Sequence, residues 1–252
     1  MDVHRTESTR QRLIDVLKTQ ERFDIRLRAI DEADDYDTTM GVETSEPVEP
    51  WETGKASDFT LEHHMRYSPT PVRTIRRVLQ ACDVRFEDVS FVDFGCGKGR
   101  VLLVAAEFPF RKVIGVEYAQ ELAETARSNI RRARPDGRRC HDLEVSVQDA
   151  AEFLVPPDAG VCYFYEPFSA TVAEKVVRNI EESVVRHPRK VVGCLVGRGL
   201  PAQDGWDGGA SRVGAVLRGR RGWSLARSIA SPDDPYYDAW LFTTGGERRG
   251  AA

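Results

Sequence analysis

The chain has 252 residues, of which 41% are hydrophobic and 30% charged, and its formal net charge is −4. This length and balance suit one α/β domain with an extension, built around a substantial core. The small negative charge gives no general attraction to nucleic acid or anionic lipid, and no apolar run approaches the roughly 18 residues of a membrane span.

The N-terminus and the cysteines indicate a cytoplasmic protein. The sequence MDVHRTESTRQR is polar and charged, unlike the apolar region of a secretory signal. The 5 cysteines are odd in number and include no C-x-x-C pair. We therefore expect reduced thiols, no disulfide framework and no metal site.

The first 58 residues read as a helical extension followed by a loop. Apolar residues recur among many charges between Thr6 and about Ala33, which predicts a helix lying on the domain or in a homodimer contact. Thr38–Gly54 is rich in Pro, Thr and Glu without periodicity, so we expect a lid, an ordered loop or a linker. Trp51 within it either anchors the loop or lines a pocket. We expect this extension over residues 1–58 and the main domain over residues 59–252.

A clear helix is predicted after Pro69-Thr70-Pro71, with Pro71 suited to its first turn. Its apolar face comprises Val72, Ile75, Val78, Leu79 and Cys82. Before it, His63 and His64 are adjacent, so at most one of them faces a pocket. His64 is our candidate general base, and a surface or capping role is the alternative.

Residues 91–117, FVDFGCGKGRVLLVAAEFPFRKVIGVE, predict a strand, a glycine-rich turn, a helix and a second strand. The strands are Phe91–Phe94 and Val113–Val116, and the helix is Val101–Phe108. This is a right-handed parallel βαβ unit with a ligand-binding turn at the end of its first strand. The glycines permit positive φ and a close backbone approach to the ligand. Glu117 stands near the position of a carboxylate that takes two ribose hydroxyls.

The spacing of these glycines argues against a dinucleotide. In G-x-G-x-x-G the third glycine follows the first by five residues, and here that position is Arg100. Asp93 would repel a pyrophosphate, but it suits a ligand with a sulfonium and an α-ammonium group. The pattern DFGCGKG resembles motif I of the class I S-adenosylmethionine (SAM)-dependent methyltransferases. The alternative is that the glycines only turn the chain.

The resemblance implies a set of cofactor contacts. SAM would lie on the glycine turn, with its ribose on Glu117 and its adenine near Asp149 at the end of the third strand, and the segment before the first helix would cover it. The implied cofactor-binding residues are Tyr67, Thr70, Asp93, Gly95, Cys96, Gly97, Gly99, Glu117, Tyr118, Asp149, Ala150 and Glu166. For Tyr67, Thr70 and Asp149 the alternatives are a packed ring, a helix cap and a helix cap, respectively.

The acceptor site is expected where the fourth strand, Gly160–Tyr165, runs into Glu166-Pro167-Phe168. This end lies across the topological switch point from the first strand. Family members that methylate amino groups of DNA or protein amides carry Asn/Asp-Pro-Pro-aromatic here, whereas this chain has Tyr-Glu-Pro-Phe. A glutamate can hold an ammonium and accept its proton, although it reaches one methylene further. Glu166, Tyr67 and His64 are therefore our candidate catalytic residues; for Glu166 the alternative is a turn residue before proline.

The remaining pattern completes an α/β fold with a Rossmann-like, doubly wound sheet of seven strands, mostly parallel with an antiparallel last hairpin. The further predicted elements are helix Ala119–Arg134, strand Leu143–Val147, short helix Ala150–Leu154, helix Thr171–Arg186, strand Lys190–Val196, a flexible Gly197–Gly209, and strands Trp223–Ile229 and Tyr237–Thr243.

The function predicted from the resemblance is SAM-dependent methyl transfer to an N or O nucleophile, leaving S-adenosylhomocysteine (SAH). We expect a small molecule or a protein side chain as acceptor rather than nucleic acid, because the arginines between 131 and 139 lack interleaved aromatic residues. Two alternatives stay open: a SAM-fold binding or regulatory protein without turnover, and a nucleotide-dependent oxidoreductase.

Overall fold

The structure is a computed structural model, and it describes residue 22 and residues 24–54, 65–197, 211–232 and 235–245. Its strands are β1 Ser90–Phe94, β2 Val113–Glu117, β3 Leu143–Val147, β4 Ala159–Phe164, β5 Val192–Val196, β6 Trp223–Ile229 and β7 Ala239–Thr244. Residues 24–34 are helical and are called α1. The other helices are α2 Tyr36–Met40, α3 Val72–Gln80, α4 Arg100–Ala105, α5 Gln120–Arg132, α6 Ala170–Arg186 and α7 Arg212–Gly219.

All seven strands form one sheet in the order β3-β2-β1-β4-β5-β7-β6. The pairings from β3 through β5 are parallel, and β7 runs antiparallel to both β5 and β6. The chain leaves β1 toward β2 on one side and returns to β4 on the other. The predicted Rossmann-like sheet is confirmed, and its switch point lies between β1 and β4.

The sheet is covered on both faces. Buried residues of α3, α4 and α5 form one apolar cluster, and buried residues of α6 and α7 form a second. The strands between them are the continuous apolar runs that a doubly covered parallel sheet requires, and β1, β2, β4 and β5 are buried along their whole length. The five cysteines are all buried and free of disulfides.

The N-terminal extension packs on the face that carries α3 to α5. Leu27, Tyr36 and Val42 belong to the same buried cluster as Ile75 of α3. The described part of the predicted first helix is helical from residue 24 to 34, and the residues before it lie outside the described ranges. Backbone hydrogen bonds in both directions then join Val48 to Tyr67, at 3.1 and 2.9 Å. The extension therefore returns to the domain just before α3.

Three elements differ from the predictions. The last strand begins at Ala239, because Pro235–Tyr237 form a 3-10 turn instead. The short helix after β3 is a 3-10 turn, Ala150–Glu152. Helix α7 was not predicted at all, and most of the glycine-rich segment before it lies outside the described residues.

Neither a membrane-spanning helix nor a metal-ligating cluster occurs among the described residues. No helix in these ranges has the length and apolar character needed to cross a bilayer. No group of three or more His, Cys, Asp or Glu side chains there is arranged to hold a metal ion.

Candidate functional site

The glycine turn follows β1 and leads directly into α4. Gly95, Gly97 and Gly99 all have positive φ, at 84, 52 and 85°. A side chain at Gly97 would overlap the ring of Tyr67, which lies across the turn. The prediction that these glycines adopt positive φ is confirmed. At Gly97 the absence of a side chain also leaves room for the Tyr67 ring.

Glu117 ends β2 beside this turn. Its carboxylate accepts the backbone N–H of Gly97 at 2.8 Å and that of Ala119 at 2.9 Å. Burial raises the pKa of Glu117, and these backbone donors oppose the shift. The carboxylate thus holds the turn to the start of α5, and each oxygen keeps a lone pair for a further donor such as a hydroxyl.

Asp93 lies on β1, two residues before the turn, and only 2% of it is exposed. Its Oδ2 atom has no hydrogen-bond partner. Burial, and then the nearby Glu117 carboxylate, raise the pKa of Asp93 well above its ordinary value. A buried carboxyl oxygen without a donor is costly, and a cationic ligand would relieve this cost.

Asp149 follows β3 and caps the 3-10 turn after it. Its Oδ1 accepts the N–H of Ala151 at 2.8 Å, which confirms the capping role. Asp149 and Ala150 also line the same cleft as Asp93 and Glu117. The carboxyl ends of β1, β2 and β3 therefore converge, as they do in ligand-binding sheets of this topology.

The cleft has about 1010 Å³ of open volume and is bounded by both parts of the chain. Its floor is the glycine turn, and its walls include Tyr165, Pro167 and Phe168 after β4. Val48, Pro50 and Thr53 of the extension form the opposite side. The loop predicted as a lid or linker thus contributes directly to the cleft.

Tyr67 lies between the extension and the turn. Its hydroxyl donates to the carbonyl of Thr44 at 2.7 Å, and the Lys98 ammonium lies 5.7 Å from its ring centroid. Burial raises the pKa of Tyr67 to a value at which the phenol stays neutral. Tyr67 is therefore both a packed ring and a wall of the cleft.

Arg100 has a role that sequence reasoning missed. Its guanidinium, 2% exposed, makes two hydrogen bonds to the Asp31 carboxylate, at 2.6 and 3.1 Å. It also donates to Thr44 Oγ1 at 2.7 Å and to Ser45 Oγ at 2.9 Å. The first residue of α4 thus holds the acidic segment of the extension against the glycine turn.

Asn129 of α5 makes a second connection of this kind. Its side chain exchanges hydrogen bonds with the backbone of Glu43, 3.0 Å in each direction, and donates to the carbonyl of Lys98 at 2.9 Å. The aspartate-rich residues 31–37 are the only sequence signal for the contact with Arg100, since they indicate a basic partner, and nothing in the sequence identifies that partner as Arg100.

The other predicted site residues have different positions. Cys96 and Tyr118 line the cleft. Thr70 also lines it, but it does not cap α3, whose N-cap is Pro71 without a side-chain bond. His64 lies outside the described residues, and Trp51 neither anchors its loop nor lines the cleft, since it is 64% exposed.

Glu166, which we expect to contact the cofactor or the substrate, does not line the cleft. It has a left-handed φ of 44°, and its carboxylate accepts the N–H of Arg212 at 3.2 Å. Arg212 is the first residue of α7, where unpaired backbone N–H groups favour a negative charge. Glu166 is not among the lining residues, although its neighbours Tyr165 and Pro167 are.

Comparison with known proteins agrees with this geometry. A family profile described as a methyltransferase domain matches residues 91–186. The chain is 38% identical over 92 residues to a protein-lysine N-methyltransferase of Saccharolobus islandicus (strain REY15A). That match covers 34% of this chain and 56% of the relative, so it spans little more than half of that protein.

Two solved structures are similar to the chain at low sequence identity. The pyocyanin biosynthetic protein PhzM has a TM-score of 0.50 at 15% identity, covering 69% of this chain and 55% of its own. An RNA methyltransferase from Salinibacter ruber, solved with SAH, has a TM-score of 0.45 at 19% identity, covering 73% and 96%.

Residues 91–186 match the methyltransferase-domain profile. The sheet that contains them has the strand order of the class I SAM-dependent methyltransferase fold, with a glycine turn after its first strand. SAM is the cofactor of this family, and the residues present fit it. The unpartnered Asp93 oxygen suits its cationic end, and the Glu117 oxygens can accept from its ribose hydroxyls.

Proposed function

We propose that this protein transfers a methyl group from SAM to an N or O nucleophile, and that the side-chain amine of a protein lysine is the acceptor. The observation that carries the cofactor half of this proposal is the buried Asp93 carboxyl beside the glycine turn, whose Oδ2 atom has no hydrogen-bond partner. The relative of Saccharolobus islandicus, a protein-lysine N-methyltransferase, supports the acceptor half.

The chain's own residues would bind and orient the cofactor. Asp93 would balance its positive charges, Glu117 would accept from the two ribose hydroxyls, and Asp149 would accept from the adenine amine. When bound, SAM supplies a methyl group already activated by its sulfonium, so the protein needs no nucleophile of its own. Its task is to align the acceptor, exclude water and leave the acceptor without its proton.

The part of the cleft after β4 suits an alkylammonium acceptor. Tyr67, Tyr165 and Phe168 line it with rings, and Pro167 narrows it against Gly95. Aromatic faces attract an alkylammonium group while excluding water from the reacting atoms. Because burial raises the pKa values of Tyr67 and Tyr165, these phenols stay neutral and serve as walls rather than as bases.

Arg100 weighs against the oxidoreductase alternative. A dinucleotide turn needs glycine at this position for close contact between helix and strand, whereas here a buried guanidinium is committed to Asp31. A binding protein without turnover is distinguished only by assay.

The test is methyl transfer from tritium-labelled SAM to cellular proteins before and after their amines are blocked by acetylation. We expect label in untreated protein that is lost on blocking, and mass spectrometry should locate it on lysine. Asp93→Asn should abolish labelling, whereas Asp88→Asn, on the exposed turn before β1, should not. Label that survives blocking, or that appears only in small molecules, would contradict the lysine assignment, and binding without any labelled product would contradict turnover.

A further inference from the structure

A second groove lies beside the cleft, and most of the charged residues along it are acidic. Its open volume is about 1440 Å³, and its lining comes from residues 24–38 and 45–52 together with Arg66. Eight of the described lining residues are Asp or Glu, and two are Arg. Because Arg66 lines both this acidic groove and the cleft, the two are neighbours.

Internal ion pairs use only part of the negative charge of the acidic groove. Arg66 holds two of its eight carboxylates, and Arg100 holds two more. Glu32, Asp35 and Glu46 are exposed, and none of them forms an ion pair within the described part of the chain. These three carboxylates are therefore available to a cation from outside.

Tyr36 adds a neutral group that also lacks a partner. It lines the acidic groove and is 6% exposed, and its hydroxyl has no hydrogen-bond partner among the described residues. A buried hydroxyl without a partner costs free energy, and a ligand that donates an N–H group would recover it. Lysine and arginine side chains carry both the positive charge and several such donors.

A single loop separates the acidic groove from the cleft. Val48, Pro50 and Thr53 line the cleft, whereas Glu49 and Glu52 line the acidic groove. A chain that crosses this loop therefore passes from one to the other.

Trp51 lies in the same loop and is 64% exposed. The turn that carries it, Pro50–Glu52, is held by a reciprocal capping box, in which the N–H of Glu49 donates to the Glu52 carboxylate at 2.7 Å. A large exposed aromatic side chain is typical of the residues that dominate protein interfaces. Its ring face also attracts ammonium and guanidinium groups.

We propose that the acidic groove and Trp51 form a docking surface for a protein segment rich in lysine and arginine, which delivers a neighbouring lysine to the cleft. Charge complementarity favours this occupant, because the three unpaired carboxylates, the Tyr36 hydroxyl and the Trp51 ring all suit basic side chains. The inference rests on the proposed function, since the delivered residue is its acceptor lysine. The groove thus selects among lysines by the charge of the residues that flank them.

The test measures the binding of a fluorescein-labelled nona-arginine peptide by fluorescence anisotropy. This peptide contains no lysine, so its binding reports docking without turnover. The groove variant combines Glu32→Gln, Asp35→Asn and Glu46→Gln, and it should weaken binding about tenfold or more, since each exposed charge pair contributes up to about fivefold. Trp51→Ala should weaken binding about two- to fivefold through the lost ring face.

The matched control removes the same number of negative charges elsewhere. It combines Glu87→Gln, Glu152→Gln and Glu182→Gln, which are exposed and line neither the acidic groove nor the cleft. The control should bind nona-arginine as wild type does. Equal weakening in the two triple variants would show a general charge effect and overturn the inference, and so would unchanged binding in the groove variant.

Labelling of cellular proteins with tritiated SAM separates this inference from the proposed function. We expect the wild-type protein to label lysines flanked by basic residues, and the groove variant to label them more slowly while it binds SAH as wild type does. Lysine labelling that ignores flanking charge and is equal in the groove variant refutes this inference alone, whereas the absence of labelled lysine refutes the proposed function on which it rests. A concentration-dependent dimer that the groove variant abolishes would assign the acidic groove to a second copy of the chain and would overturn the inference as well.

Discussion

Replacing Arg100 by methionine should release the N-terminal extension from the glycine turn. The substitution keeps an unbranched apolar stem in α4 but removes the guanidinium that holds Asp31, Thr44 and Ser45. It leaves the Asp31 carboxyl, whose side chain is 9% exposed, without its cation. Asp37 lies 3.5 Å from the same guanidinium and loses part of its compensation as well.

The expected cost follows from burial. Removing one partner of a buried ion pair typically destabilises a protein by about 3–5 kcal/mol. The lower end applies here, because burial raises the pKa of Asp31 even against the hydrogen bonds and charge of Arg100, and the carboxyl can therefore take up a proton once it is unpaired. A loss of about 3 kcal/mol corresponds to roughly a hundredfold more frequent opening of the segment.

Hydrogen exchange read by mass spectrometry should detect this opening in residues 36–48, and urea unfolding should measure the total loss. Arg76→Met is the matched control, since Arg76 makes the same two-pronged contact with Glu107 at 2.7 and 2.8 Å but is 44% exposed. Exposed pairs contribute about 0–1 kcal/mol. Equal losses in the two variants, or unchanged exchange in residues 36–48, would refute the reasoning that burial of Arg100 fastens the extension.

Two further predictions concern the turn and its carboxyls. Gly97→Ala should weaken SAH binding more than tenfold by displacing the Tyr67 ring. The control is Gly137→Ala, where φ is +77° and the space around the residue is open, so the substitution should cost only a backbone strain of about 1–2 kcal/mol. Equal SAH binding by the two variants would contradict the predicted overlap with Tyr67. Burial raises the pKa of Asp93 above its ordinary value of 3.8, so folding takes up a proton and stability conferred by the protonated group is lost as pH rises through the folded-state pKa. A cationic ligand favours the Asp93 carboxylate, so SAH binding should release protons and become stronger as pH rises toward the folded-state pKa. Calorimetry in buffers of different ionisation enthalpy should detect the proton release. Proton release that persists in Asp93→Asn would exclude Asp93 as the source.

The sheet was predictable because most of its strands are short apolar runs that can be recognised from the local sequence alone. Strand β3 was predicted with its observed bounds, and β1, β2 and β4 begin and end within one residue of their apolar runs. Helix α7 was missed because Gly214 and Gly219 lower its helix propensity. Burial of Val213 and Leu217 against the sheet stabilises it instead, and no local pattern reports this.

The site was predictable where a residue's role follows from its place after a strand. Asp93, Glu117 and Asp149 line one cleft, as the motif spacing implied. The sequence shows Arg100 only as the residue that replaces a glycine of the dinucleotide pattern, because its partner Asp31 is 69 residues away. In the sequence Tyr163 is one of several apolar residues of β4. Only its register with Asp93 shows that the two side chains lie on the same face of the sheet.

For Glu166 the sequence gives the position but not the contact. The sequence places it at the end of β4, and its contact with the Arg212 backbone depends on a helix that the sequence did not reveal. Its predicted contact with substrate or cofactor stays a prediction.

Calorimetric titration of the protein with SAH, alongside Glu117→Ala, tests the central claim most directly. The account predicts SAH binding that falls at least tenfold in the variant, or about 1.4 kcal/mol, because both the ribose acceptor and the bond to Gly97 are lost. Glu144→Ala, an exposed residue of β3 paired with Lys112, should bind as wild type does. Absence of SAH and SAM binding by the wild-type protein would contradict the account.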